Sequence, residues 1–344
     1  MSPISDDEGM PIPERPVLVA PDSFKGTFRA SQVAGAIGRG LERAGLMPPD
    51  LCPVADGGEG TLDALLPQLG GEVAAAEVTD PLGRPVRAGF GLVEDGGTAI
   101  VEMAAASGLG LIAEHERDAW AASTRGTGEL IAAAVAAGAQ VVLVAVGGSA
   151  TTDGGVGAVE AVEAAGGLRG AKLVVLTDVR TPFEDAARVF APQKGADPEL
   201  VERLTARLHE QAAAYPRDPR GVPMTGAAGG LSGGLWAALD ATLEPGAPWV
   251  LDALDFDGRM RASRAVVTGE GKLDEQTLEG KLVGEIGTRT RQAGVPLHAI
   301  VGTDRLDPFG KRIIDLQRVI EATTLKELEA AGEALGTELA TGRA

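Results

Sequence analysis

The chain has 344 residues, and 49 Asp and Glu side chains against 31 Lys and Arg give it a formal net charge of −18. Proteins that bind nucleic acid need a basic surface or aromatic platforms for bases, whereas this chain is acidic and only 3% aromatic. We therefore expect no nucleic acid partner. The hydrophobic fraction of 44% is sufficient for a packed core, and a chain of this length is expected to form two domains.

The rare residue types narrow the kind of site further. Cys52 is the single cysteine, which excludes an internal disulfide and a multi-cysteine metal site. The histidines at positions 115, 209 and 298 are too widely spaced to indicate a His-rich metal site. Residues 1–16 are acidic and proline-rich and lack the features of a signal peptide, so we expect a flexible leader, a cytoplasmic protein and no membrane span.

Strand and helix signals alternate at the start of the chain. Residues 17–20 predict a short apolar strand, and residues 31–44 predict a helix with Ser31 as its N-cap and Gly45 just past its end. The same strand, loop and helix pattern repeats over residues 51–69. This alternation indicates parallel strands connected by helices.

The middle of the chain has a different pattern. Short strands are predicted at 72–79, 84–93 and 98–103, and turn signals between them indicate antiparallel hairpins. A helix over 126–137 and a strand over 141–146 then begin a second stretch of α/β alternation. The inserted region is therefore expected to contain a mixed sheet.

The end of the chain returns to the pattern of its start and finishes with a helix whose capping box begins at Thr324. We predict an α/β fold in which residues 17–75 and 290–344, from both chain ends, build a doubly wound, Rossmann-like domain. Residues 76–289 are predicted to form a second, mixed α/β domain inserted between them.

Four polar or glycine-rich loops follow predicted strands, at residues 21–26, 56–61, 147–155 and 269–274. Ligands of open α/β sheets bind at the carboxyl ends of the strands, so we expect these loops to meet at one cleft. The loop at 147–155 is the best candidate for an anion cradle, because its glycines let backbone N–H groups approach an oxyanion. The alternative is a plain glycine turn.

The loops carry acidic and basic side chains suited to phosphoryl transfer. Carboxylates can hold Mg²⁺ or accept a hydroxyl proton, and lysines can offset phosphate charge. Each such residue taken alone is more often a surface charge or a helix cap, and it is the position directly after strands that favours the group. The candidates are Asp22, Asp56, Glu59, Asp153, Glu270 and Asp274, with Lys25, Lys194, Lys272 and Lys281. No Walker A motif and no G-x-G-x-x-G motif is present, so a P-loop NTPase or an ordinary NAD enzyme is not supported.

A competing motif points to a hydrolase. Residues 230–234 match the G-x-S-x-G pattern around Ser232, and His298 lies downstream as a catalytic triad would require. No apolar strand leads into Ser232, however, so we interpret these glycines as a tight turn. His298 and Cys52 are both expected to be core residues.

Five longer motifs occur in order along the chain and together resemble those of the bacterial class I glycerate kinase family. They are APDSFKG at 20–26, ADGGEGT at 55–61, GGSATTDGG at 147–155, PQKGA at 192–196 and TGEGKLDEQT at 268–277, the last followed by Gly280 and Lys281. Several long motifs in the same order are more specific than any single glycine pattern.

This resemblance implies ATP-dependent phosphorylation of D-glycerate, at its 2-hydroxyl, with ATP as co-substrate and Mg²⁺ as cofactor. Lys25, Lys194 and the loop residues Gly147, Gly148, Ser149, Thr151 and Thr152 are assigned to phosphate contacts. Asp56 or Asp274 is assigned as the general base, with Asp22, Glu59 and Glu270 as metal-holding or base alternatives. The assigned metal ligands are Asp56, Glu59 and Glu270. Further ligand contacts are assigned to Asp22, Ser23, Thr61, Asp153, Thr277 and Lys281.

Two stretches depart from the family pattern. Residues 166–172 and 178–190 are both shorter than the family usually shows, which puts ligand affinity and substrate choice in question. A kinase for another small hydroxy acid and a non-catalytic nucleotide- or metabolite-binding protein of the same fold stay open as alternatives. The oligomeric state, including a homodimer, also stays open.

Overall fold

The computed structural model describes residues 15–24, 26–279 and 281–341. The predicted leader at 1–16, apart from its last two residues, and Lys25 lie outside these ranges. Among the described helices, none is both long and apolar enough to cross a membrane.

The described residues form strands and α-helices that are numbered separately along the chain. The strands are β1 Val17–Pro21, β2 Asp50–Leu51, β3 Gly71–Thr79, β4 Pro85–Val93, β5 Thr98–Glu102, β6 Val141–Ala145, β7 Lys172–Leu176, β8 Thr242–Glu244, β9 Ala265–Gly269, β10 Leu297–Val301 and β11 Leu316–Glu321. The α-helices are α1 Ala30–Arg43, α2 Thr61–Leu69, α3 Ala104–Ser107, α4 Arg125–Ala136, α5 Val156–Ala164, α6 Ala186–Phe190, α7 Pro198–Ala214, α8 Ala227–Ala238, α9 Gly246–Ala253, α10 Phe256–Ala262, α11 Leu282–Ala293, α12 Pro308–Ile313 and α13 Leu325–Ala340.

The first sheet is entirely parallel, in the order β11-β10-β9-β1-β2. Its central strands β1, β9 and β10 are buried along their whole length because helices cover both faces. In β1, Val17 and Val19 pack toward α1 and α13, whereas Leu18 and Ala20 pack toward α2, α9, α10 and α11. The sheet is therefore doubly wound, as predicted.

The second sheet is mixed, in the order β3-β4-β5-β6-β7-β8. Strands β3, β4 and β5 are antiparallel neighbours, as the turn signals predicted, and β5 to β8 are parallel. One face packs against α4, α5 and α8. On the other face, Ile100, Leu143 and Leu176 enter the same apolar cluster as Leu18 of the first sheet. A layer of helices thus lies between the two sheets and joins them.

The predicted fold class is confirmed, but the sheets divide the chain differently from the predicted domains. Strand β9 lies between β1 and β10 in the first sheet, whereas the sequence prediction assigns its residues, 265–269, to the inserted region 76–289. Strand β3 also begins at Gly71, before the predicted boundary at 75. The pairing of β9 with β1 is a long-range contact, which local sequence patterns do not report.

Two local predictions also need correction. Helix α1 begins at Ala30 with Arg29 in the N-cap position, and the predicted cap Ser31 instead donates a hydrogen bond from Oγ to Asp63 Oδ2 at 2.9 Å. Gly45 follows the helix with a φ of +84°, as a C′ glycine should. Strand β11 is absent from the sequence prediction, because the sequence LQRVIE does not alternate between apolar and polar residues.

The structure rules out the hydrolase alternative. Ser232 lies inside α8, is fully buried and donates a hydrogen bond to the carbonyl oxygen of Met224 at 2.6 Å. His298 lies in β10 of the first sheet, whereas α8 packs against the second sheet. Cys52 is a buried free thiol whose pKa is raised to about 11 by that burial, so it behaves as an inert core residue.

A first prediction concerns stability at acidic pH. Burial in β10 leaves both ring nitrogens of His298 without a hydrogen-bond partner among the described residues, and it lowers the pKa of the imidazole. The unfolded chain therefore binds a proton at a pH where the folded chain does not. We expect the free energy of unfolding to fall as the pH drops below about 6.5, by up to about 1.4 kcal/mol per pH unit.

Urea unfolding at neutral and mildly acidic pH measures this effect. His298→Leu should lose part of the pH dependence, because the neutral side chain has no proton to bind. His209→Gln, at an exposed position, should retain it. Equal pH dependence in the wild type and in His298→Leu would contradict the prediction.

Candidate active site

A polar cavity of about 540 Å³ lies at the carboxyl edge of the first sheet. Each strand of this sheet contributes a lining residue from the segment that follows it, as ligand sites of open α/β sheets require. These residues are Asp22 after β1, Asp56 after β2, Glu270 after β9, Thr303 after β10 and Thr323 after β11. We call this space the polar cavity.

The polar cavity brings together seven of the residues predicted from the sequence. They are Asp22, Ser23, Asp56, Glu270, Lys272, Asp274 and Lys281. Short local hydrogen bonds orient their loops. The backbone N–H of Ser23 donates to Asp22 Oδ1 at 2.6 Å, and the N–H of Gly58 donates to Asp56 Oδ1 at 3.0 Å. These two carboxylates are therefore held by the backbone of their own loops.

The loop after β9 places two lysines beside these carboxylates. Lys272 Nζ lies 2.8 Å from Asp274 Oδ2, and this hydrogen bond is the main cause that holds the pKa of Asp274 below its usual range. Lys281 Nζ donates to Gln276 Oε1 at 2.8 Å. A carboxylate with a lowered pKa is a weaker proton acceptor. The ion pair with Lys272 thus makes Asp274 less suited to the predicted role of general base.

Thr277 and Thr61 have structural roles in their loops. Thr277 Oγ1 donates to Glu270 Oε1 at 2.7 Å and is itself buried. Thr61 is also buried, and its Oγ1 donates to the carbonyl oxygen of Gly58 at 2.7 Å. Both hydroxyl groups fix a loop beside the polar cavity, and neither lines it.

The loop at 147–155 is placed differently from the predicted phosphate cradle. Its residues line neither the polar cavity nor the neighbouring one described below. Ser149, Thr151 and Thr152 are buried. Asp153 accepts hydrogen bonds from the N–H and Oγ1 of Thr124, at 2.8 and 2.9 Å, so its carboxylate anchors the start of α4.

Lys194 lies behind this loop and outside both cavities. Its side chain is only 1% exposed, and Nζ donates a hydrogen bond to the carbonyl oxygen of Thr151. Burial lowers the pKa of the ammonium group to about 7. In this structure Lys194 supports the loop through Thr151, and its predicted contact with phosphate stays a prediction.

The second sheet holds the loop that carries Asp56, which we call the Asp56–Gly60 loop. An added Cβ on Gly57 would lie 2.6 Å from Cα of Gly246, and one on Gly147 would lie 2.9 Å from Cα of Gly58. The approach is close because these positions have no side chain. An added Cβ on Gly148 would likewise lie 3.2 Å from Oε2 of Glu59.

The carboxylate of Glu102, at the end of β5, also connects the second sheet to the Asp56–Gly60 loop. Its Oε1 accepts hydrogen bonds from the N–H groups of Gly60 and Leu62, at 2.9 and 2.8 Å. Burial raises the pKa of Glu102, with smaller contributions from Glu59 and Asp63. The strand ends of the second sheet thus position a loop of the first.

The predicted metal ligands do not form one cluster. Asp56 and Glu270 line the polar cavity, but Glu59 lines the neighbouring cavity. Within the described ranges, no three side chains of His, Cys, Asp or Glu are grouped so that they could hold a metal ion by themselves. The carboxylate oxygens of Asp22, Asp56 and Glu270 are nevertheless the donor type that Mg²⁺ prefers.

Sequence reasoning missed Asp178, Thr303 and Thr323. Asp178 lies two residues after β7, and its Oδ1 accepts a hydrogen bond from the N–H of Ala247 at 3.1 Å. Burial raises its pKa to about 7, and Asp56 is close enough to add to the shift. The rule that located the other loops, polar residues directly after a strand, also locates Asp178 and Thr303. Thr323 was missed because the sequence analysis did not predict β11, the strand that precedes it.

The first sheet is parallel and doubly wound, and the cavity at its strand ends contains carboxylates and lysines. This combination is typical of α/β proteins that bind small charged molecules. The model of the glycerate kinase family matches residues 17–166 and 163–333. The chain therefore belongs to the glycerate kinase family, which confirms the resemblance of its motifs.

Individual relatives agree with this assignment. A glycerate kinase of Bacillus subtilis (strain 168) is 39% identical, with 83% of this chain and 85% of the relative covered. A glycerate 2-kinase of Escherichia coli (strain K12) is 36% identical with the same coverage. A crystal structure from Salmonella typhimurium LT2, named as a glycerate kinase 2, is similar with a TM-score of 0.82 and 31% identity, and the match covers 96% of this chain and 99% of that one.

A second prediction tests the close glycine contact. Gly57 and Gly45 have nearly the same backbone conformation, with φ of +83° and +84°, but only Gly57 has atoms in the way of a Cβ. Gly45→Ala should lower the free energy of unfolding by about 1 kcal/mol through backbone strain alone. Gly57→Ala should lower it by about 2 kcal/mol more, because Gly246 must also move. Urea unfolding measures the free energy of unfolding of both variants. An equal loss of stability in Gly57→Ala and Gly45→Ala would show that the contact with Gly246 does not affect stability.

Proposed function

We propose that this enzyme transfers the γ-phosphoryl group of ATP to the 2-hydroxyl of D-glycerate, giving 2-phosphoglycerate and ADP. The observation that carries the proposal is the polar cavity, where a member of the glycerate kinase family gathers carboxylates and lysines at the strand ends of its first sheet. Glycerate is small, anionic and rich in hydroxyl groups, so it suits a cavity without a large apolar wall.

Asp56 is the proposed general base. It accepts the proton of the attacking hydroxyl as the new bond forms between that oxygen and the γ-phosphorus. The bond from the γ-phosphorus to the oxygen that bridges it to the β-phosphorus breaks, and ADP leaves with the electron pair. Such transfers depend mainly on positioning and charge neutralisation. The backbone bond from Gly58 to Asp56 supplies the positioning.

Mg²⁺ fits the oxygen donors of the polar cavity. Proteins usually bind Mg²⁺ through one or two carboxylates, with waters and substrate phosphates completing the shell, so a cluster of three protein ligands is not required. Asp22 and Glu270 are the proposed ligands, with Asp56 beside them. When bound, the ion neutralises phosphate charge during transfer.

Lysines supply the remaining positive charge. Lys272 and Lys281 line the polar cavity and are proposed to contact phosphate or the glycerate carboxylate. Residues 166–172 and 178–190, the stretches that depart from the family pattern, contribute nothing to the described lining of this cavity. We therefore expect the departures to leave the polar contacts to glycerate unaltered.

A product assay tests the reaction and its regiochemistry together. The purified protein is incubated with D-glycerate and Mg-ATP, and ¹H and ³¹P NMR distinguish 2-phosphoglycerate from 3-phosphoglycerate. We expect 2-phosphoglycerate and ADP in equal amounts. Formation of the 3-isomer would overturn the proposed hydroxyl. Turnover of other hydroxy acids in preference to glycerate would overturn the substrate, and ATP binding without turnover under several divalent metals would indicate a binding protein.

The third prediction concerns Asp56. Asp56→Asn removes the proton acceptor but keeps the size of the side chain, so kcat should fall by roughly 100-fold or more. Asp95→Asn is the matched control, because Asp95 is exposed in the turn between β4 and β5 and lines neither cavity. Steady-state kinetics measure both variants. A kcat within about twofold of the wild type for Asp56→Asn would exclude Asp56 as the base.

The fourth prediction concerns Lys25, which lies outside the described residues. Its neighbours Asp22, Ser23 and Thr27 line the polar cavity, so we propose that Lys25 contacts phosphate there. Lys25→Ala should then lower turnover by about tenfold or more. Lys172→Ala serves as the control, because Lys172 is exposed at the start of β7 and lines neither cavity. Wild-type kinetics for Lys25→Ala would refute the role.

A further inference from the structure

A second cavity, of about 600 Å³, adjoins the polar cavity. It is formed by the start of α1, by α2 and by strand β3. Apolar side chains supply much of its wall, namely Phe28, Leu62, Leu66, Pro67 and Val73. We call it the apolar-walled cavity. It differs from the polar cavity, whose lining includes four carboxylates and two lysines.

The two cavities share part of their lining. Ser23 and Thr27, both in the loop after β1, line both spaces. One extended ligand can therefore pass from the apolar-walled cavity to the polar cavity beside this loop. ATP has the matching chemistry along its length, because a flat base and a neutral ribose are followed by a charged phosphate tail.

We propose that the apolar-walled cavity binds the nucleoside of ATP, while the phosphates pass Ser23 and Thr27 and meet glycerate in the polar cavity. This inference rests on the proposed function, since it takes ATP as the phosphoryl donor. It assigns the two substrates to different spaces and places the reacting phosphoryl group where those spaces join.

Val73 is the most direct sign of an apolar ligand. Its side chain is 62% exposed although it is a strand residue that lines a cavity. Exposed apolar surface in a concave site is a frequent mark of ligand binding, because covering it with a base removes that surface from water. Leu66 lies on the same wall and packs at its other side against the apolar core between the sheets.

The charges support the same assignment. Glu59, Asp63 and Glu102 line the apolar-walled cavity, and Arg29 on the same wall is 3.8 Å from Asp63 in an ion pair. These acids repel the carboxylate of glycerate but not a neutral nucleoside. Asp63 also accepts a hydrogen bond from Ser31 Oγ at 2.9 Å, which orients a carboxylate able to accept from ribose hydroxyl groups.

The fifth prediction tests the nucleoside site with Val73→Asp. The substitution puts a charge where the base would lie, at a position exposed enough for the protein to fold. We expect the Kd for ADP, measured by calorimetry without glycerate, and the KM for ATP to rise by about tenfold or more, while the KM for glycerate stays within about twofold. Val189→Asp is the matched control, because Val189 is 53% exposed and lines neither cavity.

The outcomes separate this inference from the proposed function. Unchanged nucleotide affinity in Val73→Asp overturns the nucleoside site, and so does a rise in the KM for glycerate alone. Circular dichroism checks that the variant folds, and the milder Val73→Asn gives a second measurement of the same trend. If the wild type binds ADP but does not phosphorylate glycerate, the proposed reaction fails, and the ADP titrations still decide where the nucleoside binds.

Discussion

The structure depends on a close backbone contact between its two sheets. Gly57 lies against Gly246, and Gly147 lies against Gly58, so closely that a Cβ on Gly57 or Gly147 would overlap a neighbouring backbone. Asp56 belongs to the cavity of the first sheet, yet its loop is held by the strand ends of the second. If the sheets moved apart by the width of a methyl group, Asp56 would be displaced. Positioning errors of about 1 Å can lower the rate of an enzyme by roughly 100-fold.

The net charge of −18 does not conflict with anionic substrates, because binding depends on local rather than total charge. Within the polar cavity, Lys272 and Lys281 stand among the carboxylates, and Lys272 lowers the pKa of Asp274. The acids that remain are oxygen donors of the type that divalent cations take. The described lining thus holds four carboxylates and two lysines, so it offers oxygen donors to a divalent cation as well as positive groups to an anion.

Local sequence rules predicted much of this molecule. Apolar runs followed by polar loops identified the strands and placed Asp22, Asp56 and Glu270 in one cavity, because carboxyl ends of parallel strands share an edge. The same rules could not show that β9 inserts beside β1, since pairing partners are set by long-range contacts. They also could not distinguish a glycine that approaches phosphate from one that approaches another backbone. The phosphate cradle at 147–155 therefore stays a prediction, and the structure shows only that this loop packs against the Asp56–Gly60 loop.

Lys194 illustrates how a buried side chain can hold such a loop in place. Burying an ammonium group is costly, and the structure offsets that cost only in part with the Thr151 carbonyl and the nearby charge of Asp153. The hydrogen bond fixes the segment that continues back to Gly147, which supports the Asp56–Gly60 loop. A catalytic carboxylate is only as well placed as the residues that hold its loop. The geometry at Asp56 therefore depends on a buried lysine and on glycines that lie outside both cavities.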